Sequence, residues 1–404
     1  MKWDIQKLSD FCTSIADGDH QAPPKRPSGI PFVTISDITS TNQFDFSHTM
    51  YVSQEYYENL DIKRKPQAGD ILYSVVGSFG IPVYIKEDAK FVFQRHIAIL
   101  RPKSQKIVPQ FLYYTMLNHD FYMMADAAAI GAAQRTVSLT ALRNMKIEVP
   151  PINTQKKIVA LLSAYDNLIE NNQKQIKLLD EAAQRLYREW FVDLRFPGYE
   201  TTPVVDGVPE GWTKDRADSF YDISIGKTPP RAENQWFCDM CSGIPWISIA
   251  DMGSSNTFIF KTSEGLTTEA IKRHNVKVIP DGTVIVSFKL TVGRVSIVTS
   301  DMCTNEAIAH FRASNDFWRE YTYCYLKEFS YDTLGSTSSI SKAVNSKIIK
   351  AMPFVLPSQS VLKNFSKIVR PIFDNIRAKQ NQNIYLSEAR DRLLPKLMSG
   401  EIEV

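Results

Sequence analysis

The chain has 404 residues, 44% of them hydrophobic and 23% charged, with a formal net charge of +3 at pH 7. That length predicts two to four compact units, and the composition excludes a largely disordered chain. The sequence contains no apolar run long enough to span a membrane, and its start does not resemble a signal peptide. Its five scattered cysteines favour a reducing compartment over a disulfide framework, so we expect a cytoplasmic protein without a membrane segment.

Short runs rich in β-branched residues predict β-strands, and longer runs of helix formers predict helices. In the first half the strands are predicted at 32–36, 70–76, 81–85 and 92–100, with a helix at 106–126. In the second half the strands are predicted at 244–249, 283–288 and 295–298, with a helix at 318–329. These elements predict the α+β class, with two similar mixed α/β globular domains.

The two halves of the chain repeat one another. The nine residues from Gly29 to Asp37 return, with conservative changes, as those from Gly243 to Asp251. Further matched landmarks follow in the same order: Gly69 and Gly80 with Gly282 and Gly293, Ile97-Ala98 with Ile308-Ala309, and Met145 with Met352. A period of about two hundred residues is far longer than a solenoid repeat, so it indicates a duplicated domain and a pseudo-twofold molecule.

Each half ends in a predicted long helix, the first at 152–196 and the second at 358–404. The first contains neither Gly nor Pro, and its apolar residues recur in alternating steps of four and three, as in a coiled coil. The second seam is weaker, and Pro371 is expected to kink this helix or delay its start. We expect the two helices to pack as an antiparallel coiled coil through Ile158, Leu162, Tyr165, Ile169, Ile176, Leu179, Phe365, Val369, Ile372, Ile376 and Leu386.

Asn172 interrupts the first apolar seam. It is either a solvent-facing residue or a buried polar residue that sets the pairing register of the helices. Because the equivalent position in the second half is the polar Lys379, we favour a polar layer between the two helices. Asn153 or Thr154 is a candidate N-cap for the first helix.

Motifs for catalysis are not found in the sequence. A methyltransferase would need a Gly-rich cofactor loop and an Asn/Asp-Pro-Pro-aromatic motif, and no phosphate-binding loop is present either. Cys238 and Cys241 supply only two of the four ligands of a closed zinc site, so we expect no metal. The group formed by Asp17, Asp19 and His20 is explained equally well by a turn with capping aspartates.

Several motifs together resemble the specificity subunits of Type I restriction–modification enzymes, over essentially the whole chain. They are Gly-Asp-Ile-Leu-Tyr-Ser at 69–74 with Gly77 and Gly80, the segment 142–150 before the first long helix, Val-Pro-Glu-Gly-Trp at 208–212 with 226–230, and the segment 392–401.

The resemblance implies two target-recognition domains, at 1–151 and, after a linker, at 197–357. Each would read one half of a split DNA target, and the helices at 152–196 and 358–404 would set the spacer. It also implies double-stranded DNA, two methyltransferase subunits and restriction subunits as partners. The chain itself would not be catalytic, and S-adenosylmethionine, ATP and Mg would be bound by the partner subunits.

Arginine paired with guanine and Gln or Asn paired with adenine discriminate bases best, while Lys and Arg contact phosphates. The predicted DNA contacts are Lys25, Arg26, Gln134 and Arg135 in the first half and Lys227, Arg231, Lys289, Arg294 and Lys342 in the second. Each is equally well explained as a solvated surface residue. The alternative function is a helical scaffold for protein-complex assembly that does not bind DNA, and salt-dependent DNA affinity discriminates the two functions.

Overall fold

The computed structural model describes residues 3–20, 23–39, 41–132, 134–254, 257–334 and 344–404. Contacts divide the chain into two units, Met1–Ile169 with Tyr385–Val404 and Glu170–Ile384, which we call unit 1 and unit 2. Each unit therefore contains one predicted globular half and a segment of each long helix. Among the residues described, no helix is long and apolar enough to cross a membrane.

Unit 1 is built from short strands and short helices that precede a long helix. In chain order these are β1 Asp4–Lys7, β2 Cys12–Asp17, β3 Ile30–Val33, β4 Met50–Val52, α1 Gln54–Glu58, β5 Ile71–Ser74, β6 Pro82–Tyr84, β7 Val92–Phe93, β8 Ile97–Pro102, α2 Pro109–Leu117, α3 His119–Ala128, α4 Leu139–Asn144, β9 Lys146–Val149 and α5 Ile152–Tyr187. The strands form a four-stranded sheet in the order β2-β8-β5-β6, a three-stranded sheet β4-β3-β7 and the pair β1-β9.

The central strand β5 is apolar on both faces because both faces of its sheet are covered. Side chains alternate between the two faces of a strand. Ile71 and Tyr73 lie in the core formed with the helices, whereas Leu72 lies in a second core with Phe91 and Phe93. All three β5 side chains are fully buried, which explains the continuous apolar run in the sequence.

Unit 2 repeats this plan with additional edge strands. Its elements are β10 Val204–Val205, β11 Val208–Pro209, β12 Thr213–Arg216, β13 Asp222–Ile225, β14 Phe237–Cys238, β15 Ile244–Ile247, α6 Ile249–Ser254, β16 Phe258–Ile259, β17 Glu264–Leu266, α7 Thr268–His274, β18 Val284–Ser287, β19 Val295–Val298, β20 Cys303–Thr304, β21 Ile308–Arg312, α8 Arg319–Glu328, α9 Ser346–Lys350, β22 Pro353–Leu356 and α10 Gln359–Met398.

The sheets of the two units correspond strand by strand. The five-stranded sheet β13-β21-β18-β19-β16 reproduces the order β2-β8-β5-β6 and adds β16, and β14-β17-β15-β20 reproduces β4-β3-β7 and adds β14. The one parallel pair within the three-stranded sheet, β3 with β7, is again parallel as β15 with β20. The last part of helix α10, from Tyr385 onward, belongs to unit 1. The structure thus shows the predicted α+β fold with a duplicated domain.

Within unit 1 the long helices pack antiparallel. Ile158 and Leu162 of α5 lie in the same buried cluster as Leu394 and Leu397 of α10. Arg390 Nη1 donates a hydrogen bond to Asp166 Oδ1 at 2.7 Å. The Lys157 ammonium group donates to the carbonyl oxygen of Val404 at 3.0 Å. Residue numbers therefore increase along α5 while they decrease along the facing C-terminal segment, so the two run in opposite directions.

Within unit 2 the pairing is antiparallel as well. The Asn172 amide donates to Gln382 Oε1 at 3.0 Å and to Asn383 Oδ1 at 2.9 Å. At the other end of this segment the Trp190 ring lies 5.8 Å from the Phe365 ring, measured between centroids. Asn172 is buried, so it forms the polar layer that the sequence favoured.

Seven of the eleven predicted helix-pairing residues are buried, and the remaining four, Tyr165, Leu179, Ile372 and Leu386, are half-buried. Of the two effects expected of Pro371, a kink or a delayed start, the delayed start does not occur, because α10 begins at Gln359 and remains α-helical through Pro371. The Pro371 ring lies on the exposed side, while Val369 and Phe373 beside it are fully buried. Their burial offsets the missing backbone hydrogen bond.

Other predicted elements differ from the structure in detail. The predicted strand 92–100 is two strands separated by a turn, in which the Ile97 amide donates to the Gln94 carbonyl oxygen at 3.0 Å. The predicted helix 106–126 is two helices, because Asn118 has an extended backbone with ψ 140°. Helix α5 begins at Ile152, so Asn153 and Thr154 lie within its first turn and neither is its N-cap.

Candidate nucleic-acid interface

Three loops meet at one edge of the four-stranded sheet of unit 1. Residues 18–20 follow β2, residues 75–80 join β5 to β6, and residues 94–96 join β7 to β8. Backbone hydrogen bonds connect them: Gly18 N to Ile97 O at 3.1 Å, Asp19 N to Phe93 O at 3.0 Å, and Val75 N to His96 O at 2.8 Å. We call these three loops the unit-1 loop edge.

The same three loops meet in unit 2, at residues 226–228, 288–293 and 305–307. Equivalent backbone hydrogen bonds connect them: Gly226 N to Ile308 O at 3.1 Å, Lys227 N to Thr304 O at 2.9 Å, and Phe288 N to Ala307 O at 2.9 Å. We call these loops the unit-2 loop edge. Because main-chain atoms make these bonds, the arrangement is preserved although the side chains differ.

A serine closes the longest loop of each edge. In unit 1 the hydroxyl of Ser74 accepts from the Ile81 amide at 2.9 Å, and its carbonyl oxygen accepts from Gly80 at 3.0 Å. In unit 2 Ser287 accepts in the same way from Arg294 at 3.0 Å and from Gly293 at 2.8 Å. The matched glycines at 80 and 293, found in the sequence, are thus the last residues of two equivalent loops.

A fourth loop, described at residues 130–132 and 134–137, covers the edge in unit 1. The Gly77 amide donates to the Arg135 carbonyl oxygen at 2.9 Å, and the Val137 amide donates to that of Val75 at 2.9 Å. Gly131 has a φ of +103°, and a Cβ there would lie 2.7 Å from the Gln134 carbonyl oxygen, so this turn requires glycine. The predicted contact Lys342 lies outside the described residues.

The predicted DNA contacts of unit 1 fall in two places. Gln134 and Arg135 lie in the covering loop, and both are exposed. The Arg135 guanidinium forms an ion pair with Asp126 and lies 5.5 Å from the centroid of the Phe79 ring. Lys25 and Arg26 are exposed on the segment before β3, where the Arg26 amide donates to Tyr51 O at 2.9 Å, and they are not part of the loop edge.

In unit 2 the predicted contacts Lys227 and Lys289 lie on the loop edge and are exposed. Arg231, three residues beyond the first of these loops, forms an ion pair with Glu264 at 2.8 Å and lies 4.1 Å from the centroid of the Phe237 ring. Arg294 is half-buried, and its Nη1 donates to the Ile249 carbonyl oxygen at 2.7 Å. The contacts of both arginines are therefore intramolecular in this structure, and a role of either in DNA binding stays a prediction.

Arg95 and Glu306 are edge residues that the sequence reasoning missed. Each is exposed and lies two residues before a matched Ile-Ala pair, Ile97-Ala98 in one unit and Ile308-Ala309 in the other. The match between these two Ile-Ala pairs also makes Arg95 and Glu306 equivalent positions of the repeat. A continuous strand predicted at 92–100 conceals this signal, because it places Arg95 inside the strand.

The charges on the first and third loops are exchanged between the two units. In unit 1 the first loop carries Asp19 and the third carries Arg95, whereas in unit 2 the first carries Lys227 and the third carries Glu306. Partial burial alone would raise the pKa of Glu306, but the Thr228 hydroxyl, a backbone amide and the charges of Lys289 and Arg231 lower it below its usual value. The carboxylate is therefore ionised at neutral pH. In unit 1 partial burial and the charge of Arg95 lower the pKa of His96.

The side chains of Asp17, Asp19 and His20 contact protein groups. His20 lies 2.9 Å from Asp17, and the Tyr56 hydroxyl donates to Asp19. Across the part of the chain that the structure describes, no group of three or more His, Cys, Asp or Glu side chains is placed to hold a metal ion.

Two domains with the same strand order and the same loop edge define a protein with a duplicated, polar surface. The model of the Type I restriction modification DNA specificity domain matches residues 1–181 and 209–386. The chain therefore belongs to this family, as a specificity subunit of a Type I restriction–modification system with two DNA specificity domains. The predicted resemblance is confirmed.

Individual relatives agree with this assignment. The putative MjaX specificity subunit of Methanocaldococcus jannaschii is 25% identical over 419 aligned positions, which cover 100% of this chain and 94% of the relative. The HindI specificity subunit of Haemophilus influenzae is 25% identical over 409 positions, covering 84% and 88%. The crystal structure of the S subunit from M. genitalium has a TM-score of 0.56 at 15% identity, covering 98% of this chain and 96% of that one, and it shares the fold.

Proposed function

We propose that each loop edge contacts double-stranded DNA and reads one half of a split target. The observation that carries this proposal is the duplication of the edge itself. The backbone hydrogen bonds are the same in both units, and the exposed side chains on them differ. A constant frame with variable polar side chains suits the reading of two different short sequences, because base edges differ in their donors and acceptors.

The exchanged charges favour different bases for the two edges. The Arg95 guanidinium is suited to guanine, whose O6 and N7 accept a pair of hydrogen bonds, whereas the Glu306 carboxylate is suited to the N4 amino group of cytosine. Lys227 and Lys289 beside Glu306 are suited to phosphate oxygens, which give affinity without sequence information. Gln134 in the covering loop of unit 1 is suited to adenine.

The paired helices are proposed to set the length of the unread spacer and to dock two methyltransferase subunits, with restriction subunits added in the nuclease-competent complex. The chain itself is proposed to be non-catalytic, with S-adenosylmethionine, ATP and Mg bound by those partners. Family membership supports this division, and so does the absence from the sequence of a cofactor loop and of a phosphate-binding loop.

The test is to co-express the chain with its cognate methyltransferase subunit and to map methylated bases on total host DNA by single-molecule sequencing. The expected result is one bipartite motif, with two short specified parts separated by a fixed number of unspecified bases. Binding of the complex to a duplex that contains this motif is expected to weaken steeply as salt rises. A stable complex that neither methylates DNA nor binds it in a salt-dependent way would support the scaffold function instead.

A further inference from the structure

Leu290 lies at the tip of the β18–β19 loop, on the unit-2 loop edge. Its side chain is 91% exposed, which makes it the most exposed large apolar side chain among the residues described. Its φ is +61°, in the left-handed region that residues with a Cβ disfavour. The chain therefore holds an apolar side chain in solvent, in an unfavourable backbone conformation, without any gain from burial.

The tip that presents Leu290 is held in place from both sides. The buried Ser287 hydroxyl accepts from the Arg294 amide at 3.0 Å and donates to the Thr291 carbonyl oxygen at 2.5 Å. The Arg294 guanidinium donates to the Ile249 carbonyl oxygen at 2.7 Å and so anchors the far side of the loop. The position of the tip is thus determined by the unit and not by Leu290.

Unit 1 shows that the loop does not need a leucine. Counting from the closing serines, Leu290 corresponds to Gly77, whose φ of +70° is the same left-handed conformation. Glycine adopts this conformation without steric cost. Since glycine serves in one copy, the loop itself does not require leucine at this position, and with its side chain 91% exposed no contact among the described residues accounts for it.

The surroundings of Leu290 favour DNA as its contact. Lys289 and Thr291 on either side are exposed, and they supply a cation for phosphate and a hydroxyl for polar groups. The major groove admits a two-stranded β-ribbon, and the apolar group on a base edge there is the 5-methyl of thymine. We propose that Leu290 contacts a thymine methyl group in the half of the target that unit 2 reads, which makes it a specificity-determining residue. This inference rests on the proposed function.

The test uses the complex assembled with methyltransferase subunits and duplexes that contain the mapped target. Thymines in the half read by unit 2 are replaced one at a time by deoxyuridine, which removes only the methyl group. Loss of one buried methyl group is expected to weaken wild-type binding about fourfold at one position. Leu290→Gly is expected to bind the thymine duplex at least about fourfold more weakly and to bind the deoxyuridine and thymine duplexes equally well.

Leu290→Gly removes strain, so its thermal unfolding temperature is expected to equal or exceed that of the wild type. A loss of affinity then reports a lost contact and not a misfolded unit. Val205→Gly is the matched control, since Val205 is 68% exposed on the β10–β11 hairpin of the same unit. This variant is expected to retain both the affinity and the discrimination of thymine from deoxyuridine.

Three results would overturn the inference. They are equal binding of the wild type to every deoxyuridine duplex, a mapped half-target without thymine, and loss of assembly with the methyltransferase subunit in Leu290→Gly, which would assign Leu290 to a protein contact. Sequence-specific, salt-dependent binding by the wild type in any of these cases leaves the proposed function standing. Its absence contradicts the proposed function itself.

Discussion

The loop edges of the two units have the same backbone and different chemistry. Three backbone hydrogen bonds that join the loops in unit 1 have counterparts in unit 2, whereas Asp19 and Arg95 in one copy correspond to Lys227 and Glu306 in the other. Gly77 likewise corresponds to Leu290. A frame built from main-chain atoms tolerates almost any exposed side chain, so the specificity of each copy can diverge without loss of the fold.

The largest expected effect is on the stability of unit 2. The Glu320 carboxylate is fully buried and accepts hydrogen bonds from Arg319 at 2.6 Å, Arg370 at 3.3 Å and Ser366 at 3.3 Å. Unit 1 has a neutral side chain in a similar place. Gln155 of α5 is buried, and its Oε1 accepts a hydrogen bond from the Val108 amide just before α2. Glu320→Ala leaves two arginines without their carboxylate, and we expect it to destabilise unit 2 by about 3–5 kcal/mol.

Hydrogen–deuterium exchange resolves this effect unit by unit. Amides of β18 are expected to exchange much faster in Glu320→Ala, while those of β5 in unit 1 keep their rates. Glu264→Ala, which breaks an exposed ion pair, is the control and is expected to cost less than about 1 kcal/mol. Equal rates for β18 in the wild type and in Glu320→Ala would show that the buried carboxylate does not stabilise unit 2.

A second difference between the units is acid sensitivity. His310 on β21 is fully buried between Ser224 and Thr304, and burial lowers its pKa from 6.5 to about 4. The unfolded chain therefore takes up this proton at a higher pH than the folded chain. Stability is complete above pH 6.5 and falls as the pH drops towards 4, by about 3 kcal/mol from this residue.

Unit 1 has Ile99 at the position of His310, since each pairs with the second residue of the central strand. After correction for intrinsic exchange rates, acidification to about pH 4.5 is expected to speed exchange in β18 more than in β5. His310→Gln is expected to reduce that difference. Identical acid responses of the two strands in the wild type would contradict the assignment of a buried neutral histidine.

The exchanged charges lead to a prediction about DNA specificity. Arg95→Ala is expected to lose on the order of 10- to 100-fold discrimination at one base pair of the half read by unit 1, and Glu306→Ala the same in the other half. Affinities of the assembled complex for duplexes with single base-pair changes measure this. Lys7→Ala and Glu210→Ala, exposed charges away from the loop edges, are the matched controls. A loss in both halves from one variant would contradict the independent reading of the two edges.

The smallest expected effect concerns the closing serines. Ser74→Ala removes one hydrogen bond at a loop end, and Ser287→Ala removes two, because the Ser287 hydroxyl also donates to Thr291. We expect a cost of about 1 kcal/mol in unit 1 and up to about twice that in unit 2. Exchange rates of the Ile81 and Arg294 amides measure the two costs, and a larger loss in unit 1 would show that the loops are not held in the same way.

The sequence predicted the repeated domain and the paired helices because both depend on buried apolar patterns. Ile71 to Tyr73 and Ile158 to Leu162 show those patterns locally. The loop edge could not be predicted in this way, since the bond from Val75 to His96 joins residues far apart in the chain. Charge and repeat-equivalent position predict Lys25 as a DNA contact, and charge predicts Arg26, yet both lie off the edge, whereas Arg95 lies inside a predicted strand.

The central claim is that each unit reads its half of the target independently. The most direct test replaces residues 1–150 with the corresponding segment of a relative that has a different target, and maps methylated bases in cells that express the cognate methyltransferase subunit. We predict that one half of the bipartite motif changes, while the other half and the spacer remain as in the wild type. A motif that is unchanged, or one that changes in both halves, would contradict the account.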